Sequence, residues 1–229
     1  MYKYAVTFAK SGQVRYTSHL DMLRLFKRAF RRSGIEIKYS QGFNPHPKMG
    51  FAQPLSLGYG AEGEILEIET EEPVSGRRIR EDLSRHLPEG VTIISAGRIG
   101  DGQKSMAASV HGAVYTIDYP IPYDAVNMDA VIAAYLMQPQ ILAMKKQKKS
   151  KELKETDIKE KIRDLKAEKN ADGNIRIILT ADCGSPSNLS PELFLQTFNE
   201  FASINCRRHE IDVCRVKLLL PLDYRVKEL

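Results

Sequence analysis

Tryptophan is absent from the chain, cysteine occurs three times in 229 residues, and aromatic residues make up only 8%. No apolar run approaches the ~18 residues a membrane-spanning helix needs, so no span is expected. The N-terminal run Met1-Tyr-Lys-Tyr-Ala-Val-Thr-Phe reads as a strand and not as a signal peptide. Cys183, Cys206 and Cys214 are an odd, scattered set and do not make a disulfide framework. Metal and cofactor motifs are also missing. There is no CxxC, no His-x-x-x-His and no Walker loop, and the cysteines lie too far apart in sequence for a zinc or iron–sulfur cluster. Cys206, His209 and Cys214 form at most a weak metal constellation, and nothing near the cysteines marks an activated thiol. Gly58-Tyr59-Gly60-Ala61-Glu62-Gly63 fits G-x-G-x-x-G as a string, but it precedes an acidic strand and opens no helix. These absences point to a cytoplasmic protein without a metal or cofactor of its own.

What is present is an ordinary globular mixture, 42% hydrophobic and 28% charged, with a formal net charge of +5. The charge is zoned. Residues 10–48 hold nine bases against two acids, residues 62–89 nine acids against four bases, and residues 145–169 eleven bases against six acids. Basic zones of this kind suit phosphate or acidic partners, and an acidic zone suits a basic partner.

The element order predicts an α+β fold of two ferredoxin-like halves, each β-α-β-β-α-β with an antiparallel sheet. In the first half, residues 1–100, Tyr2–Phe8 reads as a strand. Ser18 caps a helix through a Ser-x-x-Asp box with Asp21, and Gly34 stops that helix. Ile35–Tyr39 is the second predicted strand. A loop over 40–60 follows, stiffened by Pro45 and Pro47. Glu64–Thr70 is a strand with one wet face, Arg77–Leu87 a helix and Val91–Ala96 a strand. Gly97, Gly100 and Gly102 read as a joint. The second half, 110–229, repeats the order more loosely: strands at Val114–Tyr119, Ile141–Met144, Ile175–Leu179 and Ile211–Leu220, helices at Ala125–Leu136 and Pro191–Ser203. Its basic insertion, 145–169, fits no clean element.

The richest chemistry is expected at the first helix start and the proline-bracketed loop. Arg15, Ser18 and His19 lie where backbone N–H groups are free and the helix dipole is positive, a ready anion site. Arg24 follows on the same helix. Gln41, Asn44, His46 and Lys48 are clustered polar groups on a stiff loop. Arg and Lys suit phosphate, Gln and Asn suit base edges, and Tyr16 and Phe43 offer faces for stacking. Arg15 and Lys48 are the expected anion contacts. Lys145, Lys146, Lys148 and Lys149 are expected to grip an RNA backbone. No residue is assigned as catalytic with assurance. His19 and His46 are the alternative, as an acid–base pair for metal-independent RNA cleavage.

The strings Arg15-Tyr16-Thr17-Ser18-His19-Leu20-Asp21 and Gln41-Gly42-Phe43-Asn44-Pro45-His46-Pro47-Lys48 resemble the radical SAM-associated (radical SAM-linked) protein family, a bacterial domain family of unknown function. Asp157-Ile158 and Ser190-Pro191-Glu192 resemble its weaker blocks. Where family members often carry a His-Arg-type pair, this chain has Arg207-Arg208-His209. The resemblance implies an accessory module beside a radical SAM enzyme, with genes near those for ribosomal proteins and an RNase E/G-type ribonuclease. It therefore points to RNA- or ribosome-linked work, with any radical SAM chemistry belonging to the partner. This chain lacks CxxxCxxC, so an iron–sulfur cluster and S-adenosylmethionine are expected only in the partner. The double ferredoxin-like reading is also similar to Cas6-type RNA endonucleases, a likeness of fold that warrants little about activity. A third reading is a protein–protein scaffold whose acidic face at 62–89 docks a basic partner, to be tested by charge reversal at Glu67 and Glu69.

Overall fold

A computed structural model describes residues 1–147 and 152–228. The chain divides into two compact units, Met1–His111 together with the segment from Cys214 onward, and Gly112–Val213. The second half was expected to run through residue 229; the segment from Cys214 instead belongs with the first unit.

The first unit runs β1 (Tyr2–Lys10), α1 (His19–Ser33), β2 (Met49–Phe51), β3 (Gly60–Thr70), α2 (Gly76–Ser84) and β4 (Val91–Ile99), followed by the single turn α3 (Met106–Ser109). The sheet order is β4-β1-β3-β2, with every neighbour antiparallel, which is the ferredoxin-like arrangement. Period-two alternation sends Tyr4, Val6 and Phe8 of β1, and Leu66 and Ile68 of β3, to one face. There they pack with Phe26, Ala29 and Phe30 of α1 and Ile79 and Leu83 of α2. Burying side chains of this size stabilises by about 1.5–3 kcal/mol each. Helix α1 begins as its sequence dictates. The Ser18 hydroxyl accepts from the Asp21 N–H at 3.2 Å and donates to its carboxylate at 2.7 Å. Gly34 ends the helix at φ +69°, a left-handed conformation that favours glycine.

Three expectations for this unit change. The second strand is Met49–Phe51; Ile35–Tyr39 supplies only isolated bridges at Ile37 and Tyr39, because Gly34 and the loop leave it too short a run beside β3. The residues read as a glycine joint begin inside β4, where Gly97 faces Glu228 of β11 (Val226–Glu228). A Cβ at Gly97 would lie 2.6 Å from the Val226 side chain and 2.9 Å from the Lys227 carbonyl, so glycine is what lets β11 dock. Glu64 is not on a wet face: it is 3% exposed and shares the inward register of Leu66 and Ile68.

The outer edge of β3 is shared. β2 pairs with Leu66–Ile68 near its end, and Cys214 and Arg215 of β10 (Asp212–Leu219) pair in parallel with Gly60 and Ala61 at its start. The glycine string serves this junction. Gly58 turns at φ +83°, and a Cβ at Gly63 would lie 2.7 Å from the Val216 carbonyl.

The second unit comprises β5 (Gly112–Pro122), α4 (Met128–Met137), β6 (Leu142–Lys146), β7 (Leu153–Asp157), β8 (Ile162–Lys169), β9 (Asn174–Asp182) and α5 (Pro191–Phe201). β5, β9 and β8 form an antiparallel sheet in that order, the first, third and second strands of the same pattern. The β6–β7 hairpin is inserted between α4 and β8. The described part of the basic insertion thus falls on the end of β6, on β7 and on β8, with Lys148 and Lys149 outside the described residues. Asp157 fixes the base of the hairpin by accepting from the Ile141 and Lys159 N–H groups, each at 3.0 Å. The core carries an aromatic cluster in which Tyr135 meets Phe198 edge-on at 5.1 Å. Its hydroxyl lies 2.6 Å from that of Thr197, and burial raises its pKa to about 12. Arg208 donates to both oxygens of Glu192 at 2.7–3.0 Å. No helix among the described residues is long and apolar enough to cross a membrane.

Candidate functional site

The inward stripe of β1 does not stop at Phe8. Lys10, two residues on and past a shift in the pairing with β3, is 4% exposed. Its ammonium donates to the Thr17 carbonyl at 3.0 Å. Burial is the main cause that lowers its pKa; Glu64 works against that shift and Arg15 adds to it. Across the register from Phe8 stands Glu64. Both Glu64 oxygens accept from Arg215, Oε1 from Nε at 2.6 Å and Oε2 from Nη2 at 2.5 Å. Arg215 also donates to the carbonyls of Gln53 at 3.1 Å and Pro54 at 3.0 Å, which pins the segment between β2 and β3. Phe8, Lys10, His19, Met22, Phe51, Gln53, Leu55 and Glu64 line one small recess of about 20 Å³, room for about one water molecule.

His19 is the first residue of α1, and its ring meets Phe51 edge-on at 5.2 Å. Arg15 sits on the short 3-10 turn before the helix and donates through Nε to the Gly58 carbonyl at 3.0 Å. Ser18 is the cap. Arg24 is exposed and pairs with Asp21 at 2.8 Å; the Ser18 and Arg24 hydrogen bonds hold the Asp21 carboxyl below its usual range.

The proline-bracketed loop is closed at its neck. The Ser40 N–H donates to the His46 carbonyl at 2.8 Å, and the His46 N–H donates to the Ser40 hydroxyl at 3.0 Å. Gln41, Asn44 and His46 are exposed on its tip, and Phe43 is fully exposed beside them. Lys48 leaves the loop and pairs with Glu69 at 3.0 Å. The structure therefore brings His19 together with Lys10, but His46, Gln41, Asn44 and Lys48 are not among the residues lining the His19 recess. Glu67 and Glu69 are each 15% exposed at the side chain. Both face Lys3, and Glu67 also accepts from the Met106 N–H at 2.6 Å, so these acids are already engaged.

The solvent face of α1 is different. Lys27, Arg28, Arg31 and Arg32 are exposed, and none has an acidic ion-pair partner among the described residues. One flank of the helix opens a groove lined by Lys27, Arg31, Glu36, Tyr39 and Pro47. The other flank opens a groove lined by Arg28, Arg32, Arg85 and His86. In the second unit, Lys145, Lys146 and Lys154 are exposed on the β6–β7 hairpin. No group of three His, Cys, Asp or Glu side chains close enough to hold a metal occurs among the described residues.

From sequence alone Lys10 is one base in a zone, and β1 is expected to end at Phe8. The signal that finds it is the register itself, since Tyr4, Val6, Phe8 and Lys10 are two residues apart. Arg215 carried no local signal, because its partner lies 151 residues away.

Fold and site together define an α+β protein with a ferredoxin-like first unit that carries a small recess lined by Lys10 and Glu64 and a helix face whose exposed Lys27, Arg28, Arg31 and Arg32 have no acidic ion-pair partner among the described residues. The chain belongs to the family described as "Uncharacterized protein conserved in bacteria (DUF2344)", which it matches over residues 3–191. No curated protein matches the chain. Among solved structures it is similar to a "putative glycine cleavage system transcriptional repressor", with 10% identity and a TM-score of 0.26 over 93% of this chain and 94% of that one. The family description names no activity, cofactor or partner; the radical SAM link rests on the sequence resemblance alone.

Proposed function

We propose that the chain is a cytoplasmic accessory module that binds RNA, or another phosphate-bearing chain, and presents it to a radical SAM partner. The observation that carries the reading is the face of α1. Lys27, Arg28, Arg31 and Arg32 recur at helical spacing, stay exposed and have no acidic partner among the described residues. Other bases of the same zone are engaged, Lys38 with Glu71 at 3.1 Å and Lys48 with Glu69. Four unneutralised cations on one helix match a phosphate backbone. Tyr16, Tyr39 and Phe43 are exposed large aromatics on the same unit and offer faces on which unpaired bases stack. The hairpin cations Lys145 and Lys146 would add backbone contacts. The radical SAM partner enters through the resemblance of the Ser18–Asp21 and Gln41–Lys48 strings, and the cluster chemistry would be the partner's.

Fluorescence anisotropy with a labelled single-stranded RNA, repeated from low to high salt, tests the binding. Four phosphate contacts on a single strand give a slope of log affinity against log salt of about −3. Absent or salt-insensitive binding would overturn the reading. Cleavage of the same RNA in EDTA, abolished by His46→Ala, would show the chain to be a ribonuclease and not a presenting module.

A further inference from the structure

We infer that the groove between α1 and residues 35–39 holds one unpaired guanine nucleotide, its base stacked on Tyr39, its amine edge at Glu36 and its phosphate on Lys27 and Arg31. This site rests on the RNA reading of the α1 face and narrows it to a strand with an unpaired guanine. The groove offers about 630 Å³, within the roughly 300–1,000 Å³ of small-molecule sites. Lys27 and Arg31 lie one turn apart on α1 and supply one wall. Glu36 lies just past the end of the helix. It is exposed, and no ion pair joins it to either cation or to any other base among the described residues. Tyr39 is 49% exposed, and its hydroxyl has no hydrogen-bond partner among the described residues. Buried Phe30 and Ile35 add apolar surface to the lining.

The backbone beneath these groups is fixed. Ile37 bridges Thr70, and Tyr39 bridges Pro47. Between them the Lys38 N–H donates to the Glu69 carbonyl at 2.8 Å, and the Lys48 N–H donates to the Lys38 carbonyl at 2.7 Å. Groups held on such a base lose little freedom when a ligand is bound. The chemistry of the lining then selects the ligand. An exposed tyrosine ring is a face on which an unpaired base stacks. A carboxylate only accepts hydrogen bonds. Its two oxygens therefore suit a base edge with two adjacent donors, which guanine has in N1–H and the N2 amine. Adenine, cytosine and uracil set an acceptor beside each donor on that edge, which would face the second oxygen. In a duplex the same edge is already paired, so the guanine must be unpaired. Lys27 and Arg31, without acidic partners among the described residues, take the phosphate. The opposite flank of α1, lined by Arg28, Arg32, Arg85 and His86, has no carboxylate in its lining and suits phosphate alone.

The test is fluorescence anisotropy of the full chain with three labelled strands: a uridine hexamer, the same hexamer with one central guanosine, and its inosine counterpart, which lacks the N2 amine. The guanosine strand should bind at least about fivefold more tightly than the uridine strand, and inosine should lose most of that gain. Glu36→Gln replaces one acceptor oxygen by a donor. It should erase the guanosine preference without weakening the uridine hexamer. Tyr39→Ala should weaken the guanosine strand by about fivefold or more, with its salt slope unchanged, and Tyr39→Phe should keep the wild-type affinity. Equal affinity for the guanosine and uridine strands, or a preference that survives Glu36→Gln, overturns the inference and leaves the RNA reading standing. Binding of neither strand overturns the RNA reading and this site with it.

Discussion

Glu64 and Arg215 form a buried pair, 3% and 2% exposed at their side chains, and hold together three parts of the first unit: β3, β10 and the segment after β2. Glu64→Gln keeps the shape but leaves the guanidinium without a counter-charge. Breaking a buried pair from one side costs about 3–5 kcal/mol. Arg215→Met leaves a buried carboxylate and also orphans the carbonyls of Gln53 and Pro54, each worth about 1 kcal/mol as a hydrogen bond. The double variant Glu64→Leu/Arg215→Met removes both charges together, so its residual cost is chiefly the two carbonyls, about 2 kcal/mol. The double change is therefore milder than either single change, a strongly non-additive cycle. Urea unfolding followed by hydrogen exchange at β3 and β10 amides reads the first unit separately from the second. A cost below about 1 kcal/mol for Glu64→Gln, or single changes that simply add, would refute a buried, desolvated pair.

Two further outcomes follow from local geometry. The Asp157 carboxyl is held below its usual range by the N–H groups of Lys159 and Ile141, so its stabilising effect is present above the unfolded carboxyl pKa and is lost as pH falls through the lower folded value. Asp157→Ala should thus speed exchange of the Ile141 amide at neutral pH and make no difference once wild type is protonated in strong acid; equal exchange at pH 7 would refute the cap. Gly97→Ala should release β11, since a Cβ there meets both Val226 and Lys227. Exchange at Lys227 should rise while β1 and β3 stay protected, and an unchanged rate would show that β11 accommodates the methyl group.

Much of the first unit was legible because its determinants are local. The Ser18–Asp21 box and the Gly34 stop are each set within one helix, and the structure shows both. The second strand was misplaced because Ile35–Tyr39 alternates as well as any edge strand, yet pairing is decided by where β3 presents a free edge. Glu64 was read as solvated because alternation alone cannot reveal a cation arriving from residue 215. The same limit hid the recess: His19 was visible from the helix start, but the burial of Lys10 beside it shows only in the fold. In the second unit, the helices and β9 were visible from their apolar periodicity. β7 and β8 were not, because nearly every outward position in 153–169 is charged and little apolar pattern remains.

The central claim is that the unpaired cations of α1 hold a phosphate backbone. The most direct measurement is the salt slope of RNA binding for wild type beside an Arg28→Ala/Arg31→Ala/Arg32→Ala variant. The account predicts weaker binding by the variant and a slope shallower by about 2, since each lost single-strand phosphate contact removes about 0.7. Equal affinities and equal slopes for the two proteins would contradict it.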